Sequence, residues 1–181
     1  MKLMKYFLSL VSGIGAFGFS GYQLSDNSLA HKMLQKNHLS SPEQVFKFVI
    51  DNKIQAPIGS PNSAAGASFR TLVNRPGEWL WCDEGAIVVA VMVGQLGYDT
   101  RLVDLVGTSD GVSHHTVLQI HQADNWITYD FTGRQFNVPL DKTVDYPSMP
   151  VYRLYPNWQQ KFMLNNYFLR EFAKMVRPWL I

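Results

Sequence analysis

A long apolar run extends from Ile87 to Leu96. It directly follows the segment 81–86, which reads WCDEGA, and ends just before Gly97. Its apolar residues cover more than one face of a helix, and such a helix has to be buried. The β-branched residues in the run would also suit a strand, but its length and the glycine that follows favour a helix. We therefore predict a buried central helix that begins at Cys82 and stops near Gly97.

Three stretches with strand character follow this helix. The first, Arg101–Val106, alternates between the two faces of a strand. The second and third are His115–His121 and Trp126–Phe131, and a short loop around Ala123 and Asp124 joins them as a hairpin. The sequence thus predicts an α+β domain in which the central helix packs on an antiparallel sheet.

The register of the hairpin decides which histidine faces the acid at its end. If the register is symmetric about residues 123 and 124, Val117 lies opposite Asp130. His115 then shares a face with Asp130, whereas His114 points away from it. A shift of one residue reverses this choice. The residues alone therefore leave both histidines open.

Cys82 is the only cysteine of the chain, and a histidine and an acid follow it. A nucleophile, a base and a group that orients the base require these residue types. A thiol reacts as its thiolate, which a helix N-terminus and a neighbouring imidazole favour. Free backbone N–H groups at that terminus can also bind an oxyanion. The first hypothesis is a site for acyl transfer through a thiol.

Short motifs from residue 82 to about 133 carry a family resemblance. They are Cys82 and Ala86 in a Cys-x-x-x-Ala segment, Gly97 and Arg101 in a Gly-x-x-x-Arg segment, and His115, Trp126 and Asp130 in a His segment that leads to Trp-x-x-x-Asp. With these motifs, a little under a third of the chain resembles the transglutaminase-like superfamily of papain-like cysteine enzymes. The resemblance implies a papain-like core in which Cys82 is the nucleophile, His115 the general base and acid, and Asp130 the orienting group.

The chain also departs from the family pattern. Family members often carry glycine before the cysteine and an aromatic residue two positions after the histidine, where this chain has Trp81 and Val117. These departures concern substrate preference more than the three candidate residues. The second oxyanion donor stays open among Asn74, Trp79 and Gln55.

Two other interpretations compete for the same residues. A single cysteine is often a small buried apolar residue. A zinc site would draw on Cys82, His114, His115, His121 and Asp130. However, no second cysteine and no compact His-x-x-x-His spacing accompanies them, so we predict neither a metal nor a cofactor.

Length and charge limit the remaining possibilities. A chain of 181 residues buries one ordinary core, and we place one catalytic domain at 40–156. Its helices include one that starts at Ser41-Pro42-Glu43, whereas 139–156 looks irregular. The net charge of +2, without a dense basic run, argues against nucleic acid as a partner.

The two ends of the chain have a different character. Residues 1–21 combine a short basic leader with an apolar stretch, which is typical of a signal peptide or of an uncleaved membrane anchor. We expect an exported protein, periplasmic or extracellular, or one associated with the membrane through this segment, with a cytoplasmic protein as the alternative. Residues 157–181 predict an amphipathic helix packed on the domain, with a membrane or partner surface as the alternative.

The expected activity is hydrolysis of an amide or peptide bond in a peptide or protein substrate, which means a protease or an amidase. Transamidation would use the same thioester with an amine in place of water. An alternative of a different class is an inactive binding or assembly module of the cell envelope that keeps the fold.

Overall fold

The computed structural model describes residues 25–57, 60, 68–106, 113–140 and 151–155. The helices are α1 at 25–36, α2 at Pro42–Asn52, α3 at Phe69–Val73 and α4 at Cys82–Gly94. The strands are β1 Ile54–Gln55, β2 Trp79–Leu80, β3 Thr100–Val106, β4 Ser113–Gln122, β5 Asn125–Asp130, β6 Gln135–Phe136 and β7 Val151–Tyr155. The predicted leader at 1–21 and the predicted helix at 157–181 lie outside the described residues.

Helix α4 is the predicted central helix. Every residue from Glu84 to Val93 is buried, as expected for a helix that is apolar on most sides. The helix ends at Gly94, and Gly97 adopts a φ of +88° in the turn that leads to β3. The predicted start at Cys82 is confirmed. Gly97 lies just beyond the end of the helix and allows the chain to turn towards β3.

Helix α4 packs on an antiparallel sheet with the strand order β6-β5-β4-β3-β7, and contacts its three central strands. This confirms the predicted α+β arrangement. The prediction of an irregular segment at 139–156 is wrong for β7, which pairs with β3 from Leu102↔Tyr155 to Val106↔Val151. Pro150 and Pro156 flank these five residues and suggest a loop, but the open edge of β3 provides backbone partners that local sequence does not reveal.

The hairpin of β4 and β5 has the register that is symmetric about residues 123 and 124. Its pairs run from Gln122↔Asn125 to Leu118↔Tyr129. Ala123 takes a positive φ of 50°, which a tight two-residue turn requires. Continued by one pair, this register sets Val117 opposite Asp130. The structure therefore confirms the symmetric register and rejects the shifted one.

Helix α2 begins as predicted, with the Ser41 hydroxyl accepting a hydrogen bond from the Gln44 N–H at 3.3 Å. On its buried side, the Phe46 ring meets the Tyr129 ring edge-on, with 5.3 Å between the ring centroids. Glu43 accepts hydrogen bonds from Gln122 and from the Tyr129 hydroxyl at 2.8 and 2.7 Å. These contacts fix α2 to the hairpin on the side of the sheet that α4 also covers.

Helix α1 lies ahead of residue 40, where the domain was predicted to start. Its Ala30 and Leu34 belong to the same buried cluster as the core of α2 and α4. Asp26 of α1 accepts the N–H groups of Phe69 and Arg70 at 3.0 and 3.3 Å, which fixes the start of α3. No helix in the described part of the chain is long and apolar enough to cross a membrane.

Candidate active site

Cys82 is the first residue of α4 and is partly exposed. The extended backbone of Trp81 leads into it from β2, and β2 pairs in parallel with β1. A thiol at this position lies beside the first backbone N–H groups of a helix, which have no partner within that helix. The predicted position of Cys82 at a helix N-terminus is thus what the structure shows.

Glu84 holds the segment before Cys82 against the start of α4. Its carboxylate receives two hydrogen bonds from the Arg75 guanidinium, one of them at 2.7 Å, and a third from the Trp81 N–H at 2.9 Å. Glu84 is only 1% exposed, and the Arg75 guanidinium also stacks on the Trp79 ring at 4.4 Å. An acid in the first turn of a helix commonly serves the helix dipole alone, whereas Glu84 forms a buried ion pair. Nothing in the local sequence singles out Arg75 as its partner.

His115 lies buried between two polar partners. Its Nε2 is 3.1 Å from Asp130 Oδ1, and the ring also forms a hydrogen bond with Cys82. Burial alone lowers the pKa of His115. The hydrogen bonds to Asp130 and Cys82 and the negative charge of both outweigh burial and raise the pKa to about 9. The imidazolium is therefore the stable form at neutral pH.

Asp130 is fully buried, and its carboxylate is held from two sides. Besides His115, the Gly133 N–H donates to Oδ1 at 3.1 Å. A Cβ atom at position 133 would lie 2.8 Å from Oδ2, so a side chain there would displace the carboxylate. Oδ2 has no hydrogen-bond partner among the described residues. The turn after β5 thus holds the Asp130 carboxylate in the orientation in which it contacts His115.

The structure brings Cys82, His115 and Asp130 together and leaves His114 exposed. The β4–β5 register sets Asp130 on the same face as His115, whereas the pairing of β4 with β3 skips His114, which lies at a bulge. The geometry therefore distinguishes the two histidines, which the residues alone left open.

The three candidates for a second oxyanion donor have different surroundings. The Asn74 amide donates to the Arg70 carbonyl at 2.9 Å, and the Trp79 ring packs under Arg75. Gln55 accepts a hydrogen bond from Thr132 at 3.0 Å, and its backbone pairs with Leu80, just ahead of Cys82. Gln55 therefore links the strand before the thiol to the turn after the acid.

The remaining ligand types considered for zinc do not gather. Within residues 25–140, wherever the structure describes them, no group of three or more His, Cys, Asp or Glu side chains could hold a metal ion. His121 instead packs against Trp126, with 5.0 Å between the ring centroids. The Arg101 guanidinium lies 4.0 Å from the centre of the same Trp126 ring and donates to Gln119 at 2.7 Å. Arg101 thus has a structural role, with an amide and an aromatic ring as partners.

No protein-family model matches the chain. No curated protein matches it either. Among solved structures, the chain is similar to "a Putative Cysteine Protease from Cytophaga hutchinsonii", with 17% sequence identity and a TM-score of 0.49. The similarity covers 73% of this chain and 47% of that one, so the chain spans about half the length of that structure.

Proposed function

We propose that the protein is a cysteine-dependent acyl-transfer enzyme. Cys82 is the nucleophile, His115 the general base and acid, and Asp130 the group that orients the imidazole. The observation that supports this assignment is the buried His115 ring, which contacts Asp130 through Nε2 at 3.1 Å and also bonds to Cys82. A nucleophile, a base and an orienting acid in contact in this order are what nucleophilic catalysis requires.

In the proposed first step, the Cys82 thiolate attacks the carbonyl carbon of an amide or ester. The backbone N–H groups at the start of α4 stabilise the negative oxygen that forms. His115 then gives its proton to the leaving amine or alcohol, and the carbon–nitrogen or carbon–oxygen bond breaks. The products are a thioester on Cys82 and a neutral His115.

In the second step, His115 takes a proton from water, which attacks the thioester. The carboxylic acid leaves, and the Cys82 thiolate and the protonated His115 are restored. An amine in place of water would give transamidation instead. We favour hydrolysis of a peptide or protein substrate, by a protease or amidase, because water is always available whereas transamidation also needs an amine-binding pocket.

Mass spectrometry of the intact protein tests this proposal. The protein is mixed with an activated ester, and then with candidate peptides with and without an added amine. We expect an acyl adduct on Cys82 that is absent from Cys82→Ala, followed by release as acid or as amide. If the folded protein never forms the adduct, the inactive binding module becomes the better interpretation.

A further inference from the structure

Gly85 and Phe131 form an unusually close contact beside the candidate site. Gly85 lies one turn after Cys82 on α4, and Phe131 directly follows Asp130 at the end of β5. A Cβ atom placed on Gly85 would lie 2.3 Å from Cγ and 2.4 Å from Cδ1 of the Phe131 ring. The ring therefore rests on the bare backbone of the helix.

Neither side of this contact has room to yield. Phe131 is 3% exposed and belongs to the buried core cluster, and Gly85 is buried on the helix that fills the centre of the domain. The clashing atoms begin at Cγ, close to the backbone of Phe131, so rotation of the ring cannot relieve them. A side chain at position 85 would have to push the chain at Phe131 away from α4, and Asp130 would move with it.

The same contact therefore fixes the spacing of the candidate site. Cys82 belongs to the helix side, whereas Asp130 and, through it, His115 belong to the sheet side. Glycine is less favourable than alanine inside a helix, so its use here needs a packing reason. Gly94 of the same helix provides the comparison, because a Cβ atom there would meet nothing within 4 Å.

We propose that Gly85 and Phe131 are positioning residues that set the separation between the Cys82 thiol and the His115–Asp130 pair. This role rests on the proposed acyl-transfer function. The absence of a side chain at position 85 lets the hairpin approach α4 closely enough for His115, which is bonded to Asp130 within the hairpin, to bond to Cys82 as well. Neither residue takes part in the chemistry itself.

The test compares Gly85→Ala with Gly94→Ala in the full chain. We expect Gly85→Ala to slow single-turnover acylation by an activated ester about a hundredfold, as a misplacement of about 1 Å can do. In the same variant, the pKa of His115, followed by NMR, should fall below about 9 because Cys82 has moved away from it. Gly94→Ala should leave both readouts unchanged.

A second variant identifies the atoms responsible. Gly85→Ala combined with Phe131→Ala removes the ring that the new Cβ atom would meet, and should recover at least about tenfold of the lost acylation rate. Contacts between the Gly85 α-protons and the Phe131 ring, measured by NMR in the unaltered protein, test the packing even if a variant does not fold. Circular dichroism confirms the fold of each variant.

The outcomes separate the positioning role from the function on which it rests. If folded Gly85→Ala keeps both its acylation rate and the pKa of His115, or if the NMR contacts are missing, the positioning role is overturned. If the unaltered protein forms no thioester, the proposed function fails. In that case the pKa of His115 in the two glycine variants still decides whether the contact sets the spacing.

Discussion

The imidazole of His115 combines two opposing influences. Its burial disfavours a positive charge, whereas Asp130 and Cys82 both favour it, and the partners prevail. The ring therefore depends on both neighbours for its charge as well as for its orientation. Replacing either neighbour should change what His115 can do, while its position on β4 stays the same.

We expect the two adjacent histidines to differ sharply in acylation of Cys82. His115→Ala should nearly abolish it, whereas His114→Ala should retain most of it, because His115 is the histidine that bonds to Asp130 and Cys82. Asp130→Asn should lie between them, with a loss on the order of a hundredfold or more. The measurement is single-turnover acylation by an activated ester. An inactive His114→Ala variant with an active His115→Ala variant would reverse the assignment.

The charge of His115 also predicts how stability depends on pH. Its pKa is about 9 in the folded protein and near the ordinary 6.5 when unfolded, so folding favours its protonated form. The stabilisation is fully present below pH 6.5 and is lost as the pH rises towards 9. Urea unfolding at several pH values should therefore show the wild-type advantage over His115→Ala shrinking across this window. A constant difference would mean that the pKa of His115 is the same in both states.

The start of α4 depends on a buried ion pair that brings together three parts of the chain. Arg75 follows α3, Trp81 follows β2, and Glu84 lies in the first turn of the helix. The carboxylate of Glu84 bonds to both of the others. The orientation of the helix end that carries Cys82 therefore depends on one buried side chain.

Two neighbouring acids allow a matched test of this pair. Glu84→Gln should lower the free energy of unfolding by about 3–5 kcal/mol, because it leaves the Arg75 charge buried without its partner. Asp83→Asn should cost about 1 kcal/mol or less, as expected for a first-turn acid that is only partly buried. Chemical denaturation of both variants measures the difference. Equal losses would show that the ion pair adds nothing specific.

Elements with a strong local pattern could be predicted from the sequence. The apolar run after Cys82 predicted α4, and the alternation in β3 and in the hairpin predicted the central strands of the sheet. Strand β7 could not be predicted, because its pairing depends on the free edge of β3. The short β1 and β2 have too few residues for any periodicity to appear.

The same division applies to the candidate site. Cys82 stood out as the only cysteine, and Asp130 as the acid at the end of a strand. The contact of Gly85 with Phe131 and the partner of Glu84 join segments that are brought together only by the fold. Local sequence carries no signal for such contacts, since each depends on the distance between two packed elements.

Viewed as a whole, the described chain places the helices on one side of the sheet and joins them to it through buried side chains. Helix α1 contributes to this core through Ala30 and Leu34, although it directly follows the predicted leader. We propose that the domain begins soon after that leader and that the protein is exported or held at a membrane by residues 1–21.

This proposal predicts where the mature chain begins. If the leader is cleaved, the N-terminus should lie near Phe19 or Gly21, ahead of α1, so that the buried Ala30 stays in place. Otherwise the intact chain should fractionate with membranes. Mass spectrometry of the N-terminal peptide from the native host distinguishes these results. Intact Met1 protein in the soluble cytosolic fraction would favour the cytoplasmic alternative.

The hairpin of β4 and β5 joins His115 and Asp130, which are only 15 residues apart, through a two-residue turn. Cys82 lies well before both, so it leaves the ribosome first during synthesis. A growing chain that ends before residue 115 holds the thiol without its proposed base, while the apolar α4 still lacks the sheet that buries it. We expect the newly made protein to become reactive only once the hairpin is complete, which spares the thiol from acylation while the chain is unfinished.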